Sequence, residues 1–106
     1  MGDLGDSQLA PLWEVVRSIP SGSVASYGAV GRALPNPATG YMVGRWMAAC
    51  PADVPWWRVV NKRGELPINK RDPRLATDQQ LRLEAEGVKF QDNRITSDAF
   101  WQPEEA

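Results

Sequence analysis

Two short helical segments separated by a proline-containing break are the feature that most constrains how this chain folds. Ser26 is placed to cap a helix that runs to Leu34. The Pro35-Asn36-Pro37 run ends that helix, because proline disfavours helical geometry in the residue before it. A second helix is predicted from about Thr39 to Ala49. Two helices joined by so short a connection are typical of a helix-turn-helix.

The second of these helices is amphipathic. Its apolar residues follow the i, i+3, i+4, i+7 spacing of a stripe that faces a core: Val43, Trp46, Met47 and Cys50. Tyr41, Arg45 and Ala48 therefore share the opposite face. A tyrosine and an arginine that point outward from the second helix are compatible with contact to DNA.

The helix pair is preceded by a predicted helix and followed by a predicted strand and turn. Asp6 or Ser7 can cap an N-terminal helix that ends at Pro20-Ser21-Gly22. Its core-facing residues are Leu9, Leu12, Trp13, Val16 and Ile19. After the second helix, residues 57–60 predict a strand, and residues 61–64 predict the turn of a small hairpin or wing.

The C-terminal third predicts a loop, a helix and a hairpin. Residues 66–74 are expected to form the loop. Thr77 with Gln80 three residues later resembles a capping box, which would open a helix that stops at Gly87. Residues 88–96 are expected to form a short hairpin around Asp92-Asn93.

The predicted fold is mainly α with small β elements, a winged helix-turn-helix-like DNA-binding domain. With 106 residues the chain is long enough for one modest core and too short for two, so residues 1–106 are expected to form a single domain. A hydrophobic content of 42% and a charged content of 24% are ordinary for a folded protein and argue against general disorder. A monomer is the expected state.

The composition also argues against several kinds of functional site. The chain has no histidine and a single cysteine, so a transition-metal site, an internal disulfide and histidine-based acid-base catalysis are not expected, and no cofactor is predicted. No run of about 18 apolar residues is present, and the N-terminus has no signal-peptide features. A cytoplasmic protein without membrane contact is expected, nucleoid-associated if the source is bacterial.

Charge is unevenly distributed along the chain. The net charge is −1, but residues 45–74 hold seven basic side chains against three acidic ones, a net of +4 that leaves −5 on the remainder. The basic residues are Arg45, Arg58, Lys62, Arg63, Lys70, Arg71 and Arg74. Such a segment can meet phosphates while the acidic remainder limits unspecific binding, although a solvated basic loop is an equal alternative on charge alone.

Several motifs together carry a resemblance to a known family. They are Ile19-Pro20-Ser21-Gly22-Ser23-Val24-Ala25-Ser26-Tyr27-Gly28, Asn36-Pro37, Met42-Val43-Gly44, Met47 and Val54-Pro55-Trp56-Trp57-Arg58-Val59-Val60, followed by Asn61…Gly64, Lys70-Arg71-Asp72 and Glu84-Ala85-Glu86-Gly87-Val88. Over residues 8–101 the chain resembles the C-terminal domain of the O6-alkylguanine-DNA alkyltransferases. The family signature Pro-Cys-His-Arg-Val here becomes Pro55-Trp56-Trp57-Arg58-Val59. Tryptophan at the cysteine position marks the alkyltransferase-like proteins of that family.

The resemblance implies a protein that binds and does not repair. Alkyltransferases attack the lesion with a thiolate that is activated by a histidine and a carboxylate behind it. Trp56 occupies the thiol position, and an indole has no basic lone pair with which to act as a nucleophile. Trp57 occupies the histidine position, and the carboxylate position falls at Gln80. Cys50 is expected to be a small buried hydrophobe and not a displaced nucleophile.

The family resemblance also implies which residues would meet DNA. The second helix would lie against the duplex, and an alkylated guanine would be rotated into a pocket that includes residues 55–59. The implied DNA-binding residues are Tyr27, Tyr41, Arg45, Arg58, Lys62, Arg63 and Lys70. The implied pocket residues are Tyr27, Trp56, Trp57, Val59 and Arg71.

The implied roles differ from one residue to the next. Tyr27 would press on the phosphate of the target nucleotide, and Trp56 would pack against the alkyl group. Tyr41 would fill the gap in the base stack, although Arg45 one turn later remains an alternative. Arg58 would be structural or phosphate-directed. Arg71 would sense the charge of the purine, or else contact a phosphate or Asp72.

The leading hypothesis is therefore a non-enzymatic sensor of O6-alkylguanine in double-stranded DNA that marks the lesion for nucleotide excision repair proteins. A sequence-specific helix-turn-helix regulator is the first alternative, but such proteins are usually dimers and no dimer seam is evident. An enzyme that acts on the flipped base, such as a glycosylase or deaminase, is the second. It would need a positioned carboxylate or a metal ion.

Overall fold

Helices dominate the computed structural model, which describes residues 4–66 and 73–101. The helices are α1 (Leu4–Ser18), α2 (Tyr27–Ala33), α3 (Gly40–Met47) and α4 (Pro73–Ala85). The strands are β1 (Ala25–Ser26), β2 (Val59–Val60), β3 (Phe90–Gln91) and β4 (Arg94–Ile95), and two short 3-10 turns span Trp56–Arg58 and Ser97–Ala99. The mainly α fold with small β elements is confirmed.

The α2–α3 pair forms as the sequence predicts. The Ser26 hydroxyl accepts from the Ala29 amide at 3.0 Å, and the Thr39 hydroxyl accepts from the Met42 amide at 3.2 Å, so both N-caps are present. Gly31 allows the connection to fold back on α2, because a Cβ at this position would lie 2.1 Å from the Ala38 carbonyl oxygen. These contacts fix the angle at which α3 leaves α2.

The parallel β1–β2 pair separates two clusters of buried side chains. Ala25 pairs with Val59, and Ser26 with Val60. Val59 packs with α1, α2 and α3, whereas Val60 packs with Leu83 of α4 and with the C-terminal hairpin. Successive residues of a strand point to opposite faces, which explains why one two-residue strand serves both clusters.

The structure differs from three of the local predictions. The first helix begins at Leu4 and not at an Asp6 or Ser7 cap. Residues 56–58 form a 3-10 turn, so the predicted strand at 57–60 is reduced to Val59–Val60. Residues 61–64 make a turn, but β2 pairs in parallel with β1 and forms no wing there. This pairing joins residues 34 positions apart, which local sequence signals do not specify.

The C-terminal third is partly as predicted. The capping box at Thr77 is wrong, because α4 already begins at Pro73, a position where proline is well tolerated. The predicted loop at 66–74 lies mostly outside the described residues. Gly87 (φ +93°) ends the helix, and Asp92 and Asn93 (φ +54° and +65°) form the turn between β3 and β4, both as predicted.

Among the described residues, no helix is both long and apolar enough to cross a membrane.

Candidate nucleic-acid interface

A cavity of about 480 Å³ opens between α3, the 56–58 turn and α4. This volume lies within the range of about 300–1,000 Å³ that is typical of small-molecule sites. Its walls are formed by Tyr27, Met47, Ala48, Cys50, Ala52, Trp56, Val59, Leu75, Asp78, Gln79 and Arg82. Of the predicted pocket residues, Tyr27, Trp56 and Val59 therefore lie together at one cavity.

The 56–58 turn sends its two tryptophans in different directions. The ring centroids of Trp56 and Trp57 lie 5.9 Å apart, and the ring planes meet at 86°. Trp56 forms part of the cavity wall, whereas Trp57 does not. The prediction that Trp57 lines the pocket is therefore revised.

Trp57 belongs to a network centred on Glu86. Its indole Nε1 donates to Glu86 Oε2 at 3.0 Å. Arg58 donates to both carboxylate oxygens, at 3.0 Å from Nε and 2.6 Å from Nη2, and a third nitrogen donates to the Ile19 carbonyl at 2.9 Å. The side chains of Arg58 and Glu86 are each only 15% exposed. This bidentate pair ties the turn to the end of α1 and to the residue that follows α4.

These contacts revise two sequence predictions. Arg58 was expected among the DNA-binding residues, but its guanidinium is held inside the protein by Glu86 and Ile19. Gln80 was expected at the position of the family carboxylate, but its exposed amide donates to Glu84. The carboxylate that contacts Trp57 is that of Glu86.

Burial and hydrogen bonding act in opposite directions on Glu86. Burial by itself raises the pKa of the Glu86 carboxyl. The hydrogen bonds from Arg58, Trp57 and the Gly22 amide, together with the Arg58 charge, outweigh burial and lower the pKa below its ordinary value of 4.5. Glu86 is therefore ionised at neutral pH and anchors the turn as an anion.

Sequence reasoning missed the α4 side of the cavity. The Arg82 guanidinium carbon lies 4.7 Å from the Trp57 ring centroid and 5.9 Å from that of Trp56, and Arg82 also pairs with Asp78 at 3.0 Å. Gln79 is buried in the same wall. Gln79 and Arg82 follow the i, i+3 spacing of one face of α4, which is the signal that could have revealed them. Glu86 comes directly after the end of this helix.

Cys50 is half-buried and packs against the core cluster, in keeping with the small hydrophobe that the sequence predicts, and it also lines the cavity. Burial raises the pKa of its thiol to about 11; the charge of Arg17 lowers it, and that of Asp53 raises it, by smaller amounts. Only the thiolate is an effective nucleophile. At neutral pH Cys50 therefore remains a protonated thiol.

The exposed face of α3 carries the two residues predicted to enter the base stack. Tyr41 is 72% exposed. Arg45 donates to the Tyr41 hydroxyl at 3.3 Å, and its guanidinium carbon lies 5.9 Å from the centre of the tyrosine ring. The two candidates for one role therefore form a single exposed pair.

Of the other four cationic residues predicted to lie at the DNA interface or the pocket, the structure describes two. Lys62 and Arg63 are exposed in the turn after β2. Lys62 borders a second cleft near the start of α2, with Tyr27 and Arg32 among its other walls. Lys70 and Arg71 lie outside the described residues. Within the described ranges, no cluster of three or more Cys, Asp or Glu side chains is arranged to hold a metal ion.

Known proteins resemble this chain in sequence and in fold. Residues 9–88 match the family described as 6-O-methylguanine DNA methyltransferase, DNA binding domain. A DNA base-flipping protein of Vibrio parahaemolyticus is 30% identical over 92% of this chain and 99% of its own length. Alkyltransferase-like protein 1 of Schizosaccharomyces pombe is 37% identical over 80% of each chain.

A solved structure shows the same fold. Atl1 of S. pombe, in complex with damaged DNA containing O6-carboxymethylguanine, superposes with a TM-score of 0.75 at 32% identity, covering 92% of this chain and 97% of Atl1. The sequence match and the fold agree over nearly the whole length. This chain therefore belongs to the alkyltransferase-like proteins of the O6-alkylguanine-DNA alkyltransferase family.

Proposed function

We propose that this protein binds double-stranded DNA that contains O6-alkylguanine and flips the damaged base into the 480 Å³ cavity without removing the alkyl group. The observation that carries the proposal is that Trp56 forms a wall of that cavity. The resemblance of residues 55–59 to the family signature aligns this residue with the reactive cysteine. A base whose pairing is already weakened is easier to rotate out of the stack, and the lesion is favoured for that reason. The names of the relatives, a DNA base-flipping protein and Atl1 with damaged DNA, support this function.

The arrangement divides binding between two surfaces. Tyr41 and Arg45 project from α3 and are available to the gap that a flipped base leaves in the stack. Tyr27 borders both the cavity and the adjacent cleft that contains Lys62, a position from which it can press on the phosphate of the rotated nucleotide. Trp56 supplies apolar area against which an alkyl group can be buried.

Two features support binding without alkyl transfer. An indole at position 56 has no nucleophilic lone pair, and the one thiol in the cavity wall, Cys50, has a pKa of about 11. A complex that leaves the lesion in place can act as a mark for other proteins. We therefore propose that it is passed to nucleotide excision repair.

The test is a titration against two otherwise identical duplexes, one with guanine and one with O6-methylguanine opposite cytosine. We expect tighter binding to the lesion, an increase in the emission of a fluorescent base placed at the target position, and no gain of protein mass after long incubation. Trp56→Ala should narrow the preference among alkyl groups of different size. Equal affinities with unchanged fluorescence would favour a sequence-specific regulator, and a protein mass increased by the alkyl group would reveal a transferase.

A further inference from the structure

The cleft at the start of α2 lies outside the cavity and has a different character. Its volume is about 400 Å³, and its walls include the side chains of Tyr27, Arg32, Asn61 and Lys62. None of the described residues in these walls is acidic. Tyr27 is the one residue that the described walls of the cleft and of the cavity share. A DNA strand whose base enters the cavity would therefore bring the backbone next to that base to the cleft.

Two cations from separate segments border this cleft. Ser26 pairs with Val60 in the parallel β1–β2 pair, so the start of α2 and the turn that carries Lys62 leave the sheet at the same end. Arg32 belongs to the last turn of α2, but its guanidinium is directed back along the helix. Its Nη1 lies 3.5 Å from the place that a Cβ at Gly28 would occupy. The fold therefore brings Arg32 and Lys62 to one cleft.

The acidic side chain next to this turn is bound elsewhere. Glu65 accepts from the Asn61 amide at 3.2 Å and pairs with Arg94 of β4 at 3.6 Å. Arg32 and Lys62 are both exposed, and neither takes part in an ion pair among the described residues. The described walls of the cleft thus carry two positive charges without an internal counterion.

We propose that Arg32 and Lys62 together hold a DNA backbone phosphate that flanks the flipped nucleotide. This inference rests on the proposed function. The guanidinium fork of Arg32 can donate two hydrogen bonds to phosphate oxygens, and the Lys62 ammonium adds a point charge. Phosphate contacts fix the position of a protein on a duplex, so this pair would hold the rotated strand beside the cavity. Arg32 lies outside the basic segment at residues 45–74, which is why charge along the sequence does not indicate it.

The experiment removes the charge of single phosphates and of single side chains. Three duplexes contain O6-methylguanine opposite cytosine: one is otherwise unmodified, and the others carry an uncharged methylphosphonate in place of the phosphate before or after the lesion. Affinities and their salt dependence are measured for the wild type, Arg32→Ala and Lys62→Ala. Lys89→Ala is the matched control, because it removes an exposed positive charge that borders neither the cavity nor the cleft.

We expect Arg32→Ala and Lys62→Ala each to weaken binding to the unmodified lesion duplex by about 3- to 30-fold, as for one charge-assisted hydrogen bond. Each should also reduce the slope of log affinity against log salt by about one, whereas Lys89→Ala should change neither quantity. One of the two methylphosphonates should weaken wild-type binding by a similar factor. On that duplex Arg32→Ala should cause no further loss, because the contact is already absent.

Two results would overturn the inference. One is a wild type that binds all three duplexes equally, which needs no variant to be folded. The other is an Arg32→Ala protein that keeps the wild-type affinity, or that loses the same factor on every duplex. A wild type that does not prefer the lesion over guanine would instead remove the proposed function itself.

Discussion

Two arginines of this protein differ in their contacts and in their exposure to solvent. Arg58 is 15% exposed and pairs with Glu86 inside the protein, whereas Arg45 is exposed on α3 and contacts only the neighbouring Tyr41 among the contacts described. Both came from the same basic segment of the sequence. The positive charge of a sequence segment therefore does not by itself identify a DNA-binding surface. Some of its cations are buried and stabilise the fold, and only the exposed ones are available to bind phosphates.

The largest effect on stability should come from breaking the buried ion pair between Arg58 and Glu86, called the internal pair below. Glu86→Ala leaves the Arg58 guanidinium partly buried without its counterion and removes the acceptor of the Trp57 indole. We expect a loss of about 3 kcal/mol in the free energy of unfolding, measured by urea denaturation. Asp53→Ala is the control, because it breaks the exposed pair with Arg17 and should leave stability unchanged. Equal effects of the two substitutions would contradict a structural role for the Glu86 network.

Disruption of the exposed pair of Tyr41 and Arg45 should lower DNA affinity and leave protein stability unchanged. Tyr41→Ala removes an aromatic face available to stacked bases, which corresponds to roughly 1–3 kcal/mol, or about 5- to 150-fold in affinity for lesion DNA. Thermal stability should hardly change. Leu81→Ala is the matched control, because it shortens an exposed apolar side chain on a different helix, α4, and it should leave DNA affinity intact. A similar loss on undamaged DNA would mean that Tyr41 supports docking and not flipping.

The salt dependence of DNA affinity should also distinguish exposed cations from the internal Arg58. Arg63→Ala should reduce the slope of log affinity against log salt by about one, as expected for a cation that contacts a phosphate. Arg58→Gln should lower protein stability but leave the slope of the folded protein unchanged. Affinities measured at several salt concentrations test both variants. A reduced slope in the Arg58 variant would show that the internal arginine also meets DNA.

Acid should weaken the internal pair and spare the exposed one. Because the folded-state pKa of Glu86 is lowered, its stabilising contribution is present above the unfolded-state value of 4.5 and is lost as pH falls through the folded-state pKa. The wild type should therefore exceed Glu86→Gln in stability at pH 7, and the difference should shrink below about pH 4.5. The difference is measured by comparing the urea midpoints of the two proteins at a series of pH values. A difference that is independent of pH would show that the carboxylate charge does not matter.

The smallest expected effect concerns Trp56→Cys. The carboxylate Glu86 is present, but Trp57 cannot accept a proton as the family histidine does, so the new thiol should not be activated. We expect no alkyl transfer, as judged by intact mass after incubation with lesion DNA. Addition of Trp57→His to this variant supplies the missing base next to Glu86. Transfer by the single variant would show that the histidine is dispensable.

The features that could be predicted from the sequence are those set by neighbouring residues. Ser26, Thr39 and Gly87 mark helix ends through their own caps, and Asp92-Asn93 adopts the positive φ values of its turn. The β1–β2 pairing could not be predicted, because it joins segments far apart in the chain. The family motif placed Trp56 in a pocket, and Trp56 lies in the wall of the cavity. It misplaced the carboxylate, since only packing brings Glu86 to Trp57.

The right angle between Trp56 and Trp57 has a consequence for how this family can diversify. One residue faces the cavity, and the next is fastened to Glu86. The side chain at position 56 can therefore be exchanged while the attachment at position 57 holds the backbone in place. A protein built in this way can change the surface that its cavity presents by substitution at position 56, whereas an insertion of one residue here would disturb both the cavity wall and its support.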